Sequence, residues 1–164
     1  MKIILIRRAE NGASLPGDTP RGNAKNYRVY IGTAPAGRET AEALFTLPEA
    51  PVVTPLLDDI PTEAGLRGKL AARRAARHRA GELLDTLEKD ERDSVVLCGG
   101  QAMAALRFVL RARGYLLEGG GLVPRPLERV RATKRSLHCG GCAHNCLLSE
   151  AKCEKGRNKL KGIR

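Results

Sequence analysis

The stretch KIILI, Lys2–Ile6, runs directly into Arg7 and Arg8. It is a short, β-branched apolar run and reads as a buried strand. Two similar runs follow, Tyr27–Ile31 (YRVYI) and Ser94–Cys98 (SVVLC), with a further extended stretch over Pro51–Leu57. Between them lie segments of helical period. Arg38–Leu47 follows the turn GTAPAG and stops near Pro48. Glu63–Arg92 repeats Leu66, Leu70, Ala76, Ala80, Leu83, Leu84 and Leu87 at three- and four-residue steps. Gln101–Arg113 places Met103, Leu106 and Leu110 on one face. Leu122–Val130 reads as an edge strand, since Pro124 and Pro126 have no N–H for a central ladder. Strands alternating with helices predict an α/β fold: three layers, α/β/α, around a mostly parallel sheet. Gly65, Gly68 and Gly81 are expected to divide the long helix into pieces.

That helix carries an unusual charge order. Arg73, Arg74, Arg77 and Arg79 come first, then Glu82, Asp85, Glu88, Asp90 and Glu91. The order opposes the helix macrodipole, so packing or a partner must outweigh a small penalty.

In a parallel sheet, ligands sit beyond the carboxyl ends of strands. Two such ends are Arg7-Arg8 and Cys98-Gly99-Gly100. Arg7, Arg8, the nearby Arg38 and the backbone amides at Gly99 and Gly100 form a candidate anion-binding corner. A phosphate-bearing ligand suits it. Two readings of Arg8 stand side by side: a ligand contact, or a salt bridge to Glu10 or Asp58. Cys98 also has two readings. It is a thiolate nucleophile activated by arginines and a helix start, or an inert residue closing a strand.

Three pieces of sequence, in order, resemble the histidine phosphatase superfamily, which includes the phosphoglycerate mutases. They are LIRRAEN, VYIGTAPAGRETAEALF and VVLCGGQAMAAL. The resemblance spans about Met1–Val130. It implies a phosphoryl pocket in which one histidine attacks phosphorus while arginines and a second histidine neutralise the oxygens. Arg7 matches the first family arginine and Glu10 the acid of that motif. Arg8 falls on the nucleophilic histidine, Ala9 on a glycine, Ala36 on the second arginine and Cys98 on the second histidine. Asp58, Asp59 and Glu63 are the candidates for the family's general acid. His78, His138 and His144, the chain's three histidines, all lie outside the expected strand ends. A guanidinium stays protonated at neutral pH and is no nucleophile. The resemblance therefore implies a pocket that holds an anion without cleaving it. An active phosphatase or phosphomutase with a rearranged site, using Cys98 or a tail histidine, is the enzyme alternative.

The domain plan follows as Met1–Arg131 and a tail, Ala132–Arg164. The tail has eight Lys and Arg against two acids, over half of the chain's +11. It also holds Cys139, Cys142, Cys146 and Cys153 in a C-x2-C-x3-C-x6-C spacing. Four thiolates so close in sequence suit one metal centre. The tight triplet plus a fourth cysteine points to a [4Fe–4S] cluster, and zinc is the alternative, with His138 and His144 as further donors. Free thiols or a redox disulfide remain the reading without metal. The basic end suits an acidic redox or regulatory protein partner; a solvated terminus is the plain alternative. Nucleic acid also fits the charge, but aromatics make up only 3% of the chain, too few for extensive base stacking. No segment has the roughly 18–20 consecutive apolar residues of a membrane helix. The expected compartment is the cytoplasm, where clustered cysteines are more often metal ligands than disulfides.

Overall fold

A computed structural model describes residues 1–9, 22–121, 125–134 and 154. The elements in order are β1 (Lys2–Arg7), β2 (Gly22–Asn23), β3 (Arg28–Ile31), α1 (Pro35–Leu44), β4 (Phe45–Thr46) and β5 (Val52–Val53). A 3-10 turn (Pro55–Leu57) then leads to α2 (Gly65–Asp90), β6 (Ser94–Cys98), α3 (Gly100–Ala112), β7 (Tyr115–Glu118) and β8 (Arg129–Lys134). Among the described residues, six strands form one sheet in the order β5-β3-β6-β1-β8-β7. β5, β3, β6 and β1 run parallel, and β8 is antiparallel to β1. β2 and β4 make a separate parallel pair. The fold is thus α/β with a mostly parallel sheet.

The strands form because their alternate residues enter two different cores. Ile3 and Leu5, Tyr30, Val96 and Cys98 join α2 and α3 through Leu83, Leu84, Leu87, Met103, Leu106 and Leu110. Ile6, Val29 and Ile31, with Val95 and Leu97, join α1 through Ala41 and Leu44. All five residues of β6 are buried, which explains its unbroken apolar run. Each fully buried Leu or Ile contributes about 1.5–3 kcal/mol by leaving water.

Several expectations need correction. α2 is continuous over 26 residues. Its glycines do not divide it, because tertiary packing outweighs their propensity. Gly68 has a role of its own: an added Cβ would lie 2.5 Å from the Glu63 carbonyl oxygen, so only glycine lets the incoming chain pass this close. Leu66 and Leu70 are not core; they are 74% and 46% exposed. α1 starts and ends three residues before the expected limits, because Pro35 serves as a first helical residue and Phe45 turns extended. Of the expected edge strand over Leu122–Val130, residues 122–124 lie outside the described ones, a turn follows them, and Arg129 and Val130 open β8, an interior strand beside β1. β7, an edge strand, had no expectation at all.

A first compact unit covers Met1–Thr133, with Ala132 and Val130 fully buried in its core. Cys139, Cys142, Cys146 and Cys153 lie outside the described residues, as do His138 and His144. No helix among the described residues is long and apolar enough to cross a membrane.

The charge order of α2 has a packing cause. Its acidic half faces partners. Asp85 and Glu88 bind the Arg113 guanidinium at 2.6 and 3.0 Å. Tyr115 and Tyr30 donate their hydroxyls to Glu88 and Asp90 at 2.9 and 3.0 Å. These contacts offset the unfavourable macrodipole term, which is only about 0.3–1 kcal/mol per charge.

Candidate functional site

The β1–β6 register sets Arg7 opposite Cys98, so the two expected strand ends lie side by side. The backbone fixes the corner tightly. Arg8 N–H donates to the Cys98 carbonyl at 3.0 Å. Arg7 is held on its other edge, donating to the Glu128 carbonyl at 3.1 Å and accepting from Leu127 N–H at 2.8 Å. Ala9 N–H donates to Thr40 Oγ1 at 3.3 Å, and that hydroxyl donates to the Ala36 carbonyl at 2.6 Å. The chain therefore leaves β1 along the start of α1, and both arginines leave the strand at a defined point.

Arg8 does not pair with Asp58, and Glu10 lies outside the described residues. Its Nη2 binds Asp59 Oδ2 at 3.1 Å, with the two side chains 21% and 46% exposed. Asp59 in turn rests on the start of α3. An added Cβ at Gly99 would lie 2.5 Å from both Asp59 oxygens. Gly99 has φ −67° and ψ 170°, which any residue adopts, so the glycine is needed for room and not for its backbone angles. Anions favour a helix N-terminus such as this one. Here the Asp59 carboxylate lies over Gly99, beside that end of the helix.

Asp58 does the same one strand over. Its Oδ1 accepts from Thr33 N–H and its Oδ2 from Thr33 Oγ1–H, both at 2.7 Å. Thr33 lies just before α1, at the carboxyl end of β3. Asp58 Oδ1 also packs against the Gly32 backbone. Gln101 secures the same segment: its Oε1 accepts from Ile60 N–H at 2.7 Å, and its Nε2 donates to the Ile60 carbonyl at 3.4 Å.

A cleft of about 280 Å³ remains between these groups, lined by Arg8, Thr33, Asp58, Asp59 and Cys98 among others. Of the five expected anion-binding residues, only Arg8 lines it. The Arg7 guanidinium lies over Gly100 with room to spare, since an added Cβ there would meet it only at ordinary contact, 3.6 Å. Arg38 is exposed on α1 and does not line the cleft. Gly99 lies beneath Asp59. Cys98 is 1% exposed. Burial, then the nearby Asp59 charge, pushes its thiol pKa up to about 12, while Arg8 pulls it down less. It is a protonated thiol at neutral pH, a poor nucleophile.

The residues missed in the sequence are Thr33 and Gln101. Each has a readable signal, a hydrogen-bonding side chain placed at a turn before or within the first turn of a helix. The pairing of Asp59 with Arg8 has no local signal; only the fold brings the two together. Among the described residues, no group of three or more His, Cys, Asp and Glu is placed to hold a metal ion. No family model, curated protein or solved structure matches this chain.

Proposed function

We propose that the chain is a non-hydrolytic binding, redox or sensing accessory protein of the cytoplasm, built on a three-layer α/β/α domain of histidine phosphatase type. The observation that carries this reading is the Arg8–Asp59 pair seated on Gly99. The seat of the nucleophile holds a guanidinium, which attacks nothing. The seat of the second histidine holds a buried thiol kept protonated. A phosphoryl oxygen approaching the start of α3 would meet Asp59, which lies over Gly99. The pocket keeps the groups for holding an anion, once Asp59 moves aside, and lacks a group for cleaving one.

The tail supplies the second half of the reading. Cys139, Cys142, Cys146 and Cys153 would hold a [4Fe–4S] cluster, with zinc as the alternative. The donor set fits either, since both accept four thiolates. A cluster supplies one-electron transfer, and zinc supplies folding energy alone. The basic terminus then meets an acidic protein partner, and the anion pocket a phosphate-bearing ligand.

Hydrolysis is tested with p-nitrophenyl phosphate. The expected result is no turnover above background. Turnover that vanishes in Arg8→Ala or in Cys98→Ser overturns the reading. Metal analysis with an anaerobic absorption spectrum tests the tail. Iron with sulfide and a broad visible band supports the cluster, zinc alone supports the alternative, and no bound metal removes the redox role.

A further inference from the structure

A larger concavity lies away from the strand ends. A cleft of about 830 Å³ runs along the seam between α2 and α3. Its floor is alanine, including Ala72, Ala76 and Ala105, whose short side chains leave the seam open. Its rim is cationic: Lys69, Arg73 and Arg77 from α2, and Arg111 from α3. No described residue lining it is acidic. Lys69, Arg73 and Arg77 recur every four residues, a spacing at which like charges repel. Lys69 and Arg73 have no acidic partner among the described residues. The acids of α2 face other partners: Glu82 pairs with His78, Asp85 and Glu88 with Arg113, and Asp90 accepts from Tyr30.

The cleft also offers apolar contact. The Arg77 guanidinium stacks 3.8 Å from the Phe108 ring centroid, and the ring stays 50% exposed. Leu66 and Leu70 share the stripe of Arg73 and Arg77 by their three- and four-residue spacing. The surface thus joins a small-residue trough, exposed Leu and Phe, and uncompensated positive charge.

Three occupants fail on this description. The chain's own tail end, with Lys155, Arg157, Lys159 and Lys161, would be repelled. A flat bilayer does not reach an alanine floor. Single-stranded nucleic acid needs successive rings to stack on, and the cleft has one, already covered by Arg77. A third helix fits: small residues let it approach the seam closely, and helix-in-groove recognition uses apolar anchors on one face.

We propose that the α2–α3 cleft docks an acidic amphipathic helix of a protein partner. Its apolar face lies on Phe108, Leu70 and the alanine floor, and its carboxylates meet Lys69, Arg73, Arg77 and Arg111. This goes beyond the reading of the strand ends and stands whether or not that reading does.

The test uses the full chain and a fluorescein-labelled helical peptide of about five turns. The peptide carries leucine on one face and glutamate elsewhere. Anisotropy titration is expected to show saturable binding that weakens as salt rises. The double change Arg73→Glu and Arg77→Glu is expected to weaken it about tenfold or more. Both arginines are exposed, so circular dichroism should show an intact fold. Ala104→Phe is the second variant. Ala104 lines the cleft from an exposed position on α3, so the ring fills the trough without changing charge. It is expected to abolish binding. No binding of the peptide at millimolar concentration overturns the proposal. So does equal binding by a scrambled peptide of the same composition, or native-like binding in Ala104→Phe. A single-stranded oligonucleotide or phosphatidylglycerol vesicles that bind more tightly, and lose binding in the same variants, would replace it with a nucleic-acid or membrane surface.

Discussion

Replacing Asp59 by asparagine should turn the strand-end corner into a better phosphate site. The substitution keeps the size of the group over Gly99 and removes one negative charge. A phosphate dianion placed beside Arg8 would lie about 4 Å from that carboxylate, taking the 3.1 Å ion pair as the scale of the corner. Two unit charges at about 4 Å repel by about 1 kcal/mol in water, so a dianion is opposed by about 2 kcal/mol. The side chain of Asp59 is 46% exposed, so the water value is the right one to use. Screening over a Debye length of about 8 Å at 0.15 M salt leaves somewhat more than 1 kcal/mol. Phosphate should therefore bind Asp59→Asn about tenfold more tightly than the native chain. Calorimetric titration with inorganic phosphate at 0.15 M salt measures this. The stability lost with the exposed pair should stay under about 1 kcal/mol. Adding Arg8→Met should erase the gain. Phosphate affinity that is unchanged or weaker in Asp59→Asn refutes the reasoning, as does a gain that survives loss of Arg8.

Stability should fall in alkali. Burial raises the pKa of Cys98 and of Tyr30 to about 12 each, and raises that of Tyr115 still further. Each group is neutral when protonated, so the unfolded chain releases its proton first. The stabilisation is complete below the ordinary thiol and phenol values and is lost as pH rises toward 12. Urea unfolding at stepped pH should show this decline, and Cys98→Ala and Tyr115→Phe should each flatten it. Glu91 ends α2 at φ 55°, in the left-handed region. Glu91→Gly should raise stability by about 0.5–1 kcal/mol, measured by denaturant midpoint, because glycine carries no Cβ there. Leu106 is 1% exposed between the sheet and α2. Leu106→Ala should cost about 2–5 kcal/mol in the same assay.

The parts of the fold that could be read ahead were those with a strong local pattern. β1, β3 and β6 are short apolar runs, and α3 repeats Met103, Leu106 and Leu110 with period. What failed depended on partners distant in sequence. Leu66 and Leu70 continue the periodic stripe of α2, but no described residue buries that end, so period alone misplaced them. Gly68 looked like a breaker because the chain that needs its missing Cβ arrives from Glu63 in three dimensions. β8 was mislocated because its pairing with β1 is antiparallel and spans over 120 residues, beyond any local signal. The candidate site divides in the same way. Arg7, Arg8 and Cys98 were legible because strand ends are local. The choice of Asp59 over Asp58 as the partner of Arg8 was not, since adjacent residues point in different directions and only the fold decides which direction meets α3.

That choice has a mechanical consequence for the pocket. Asp58 and Asp59 are neighbours in the chain but serve different helix starts, one at Thr33 before α1 and one at Gly99 before α3. Gln101 clamps the next residue, Ile60, through both backbone groups. An anion entering beside Arg8 would displace Asp59, and a displacement that moved its backbone would pull on Asp58 and on the Ile60 clamp. Displacement of that kind loosens contacts at the ends of β3 and β6 together. Gln101 also lines the α2–α3 cleft, so the clamp stands between the two candidate sites. Occupancy at the strand ends and docking on α2–α3 are coupled if moving Ile60 moves Gln101. Gln101→Leu tests this: it removes the clamp, leaves Arg8 and Asp59 in place, and should raise phosphate affinity in the native Asp59 background. Unchanged affinity would mean that the aspartate leaves the α3 start by side-chain rotation alone, with no strain passed to the segment that carries it.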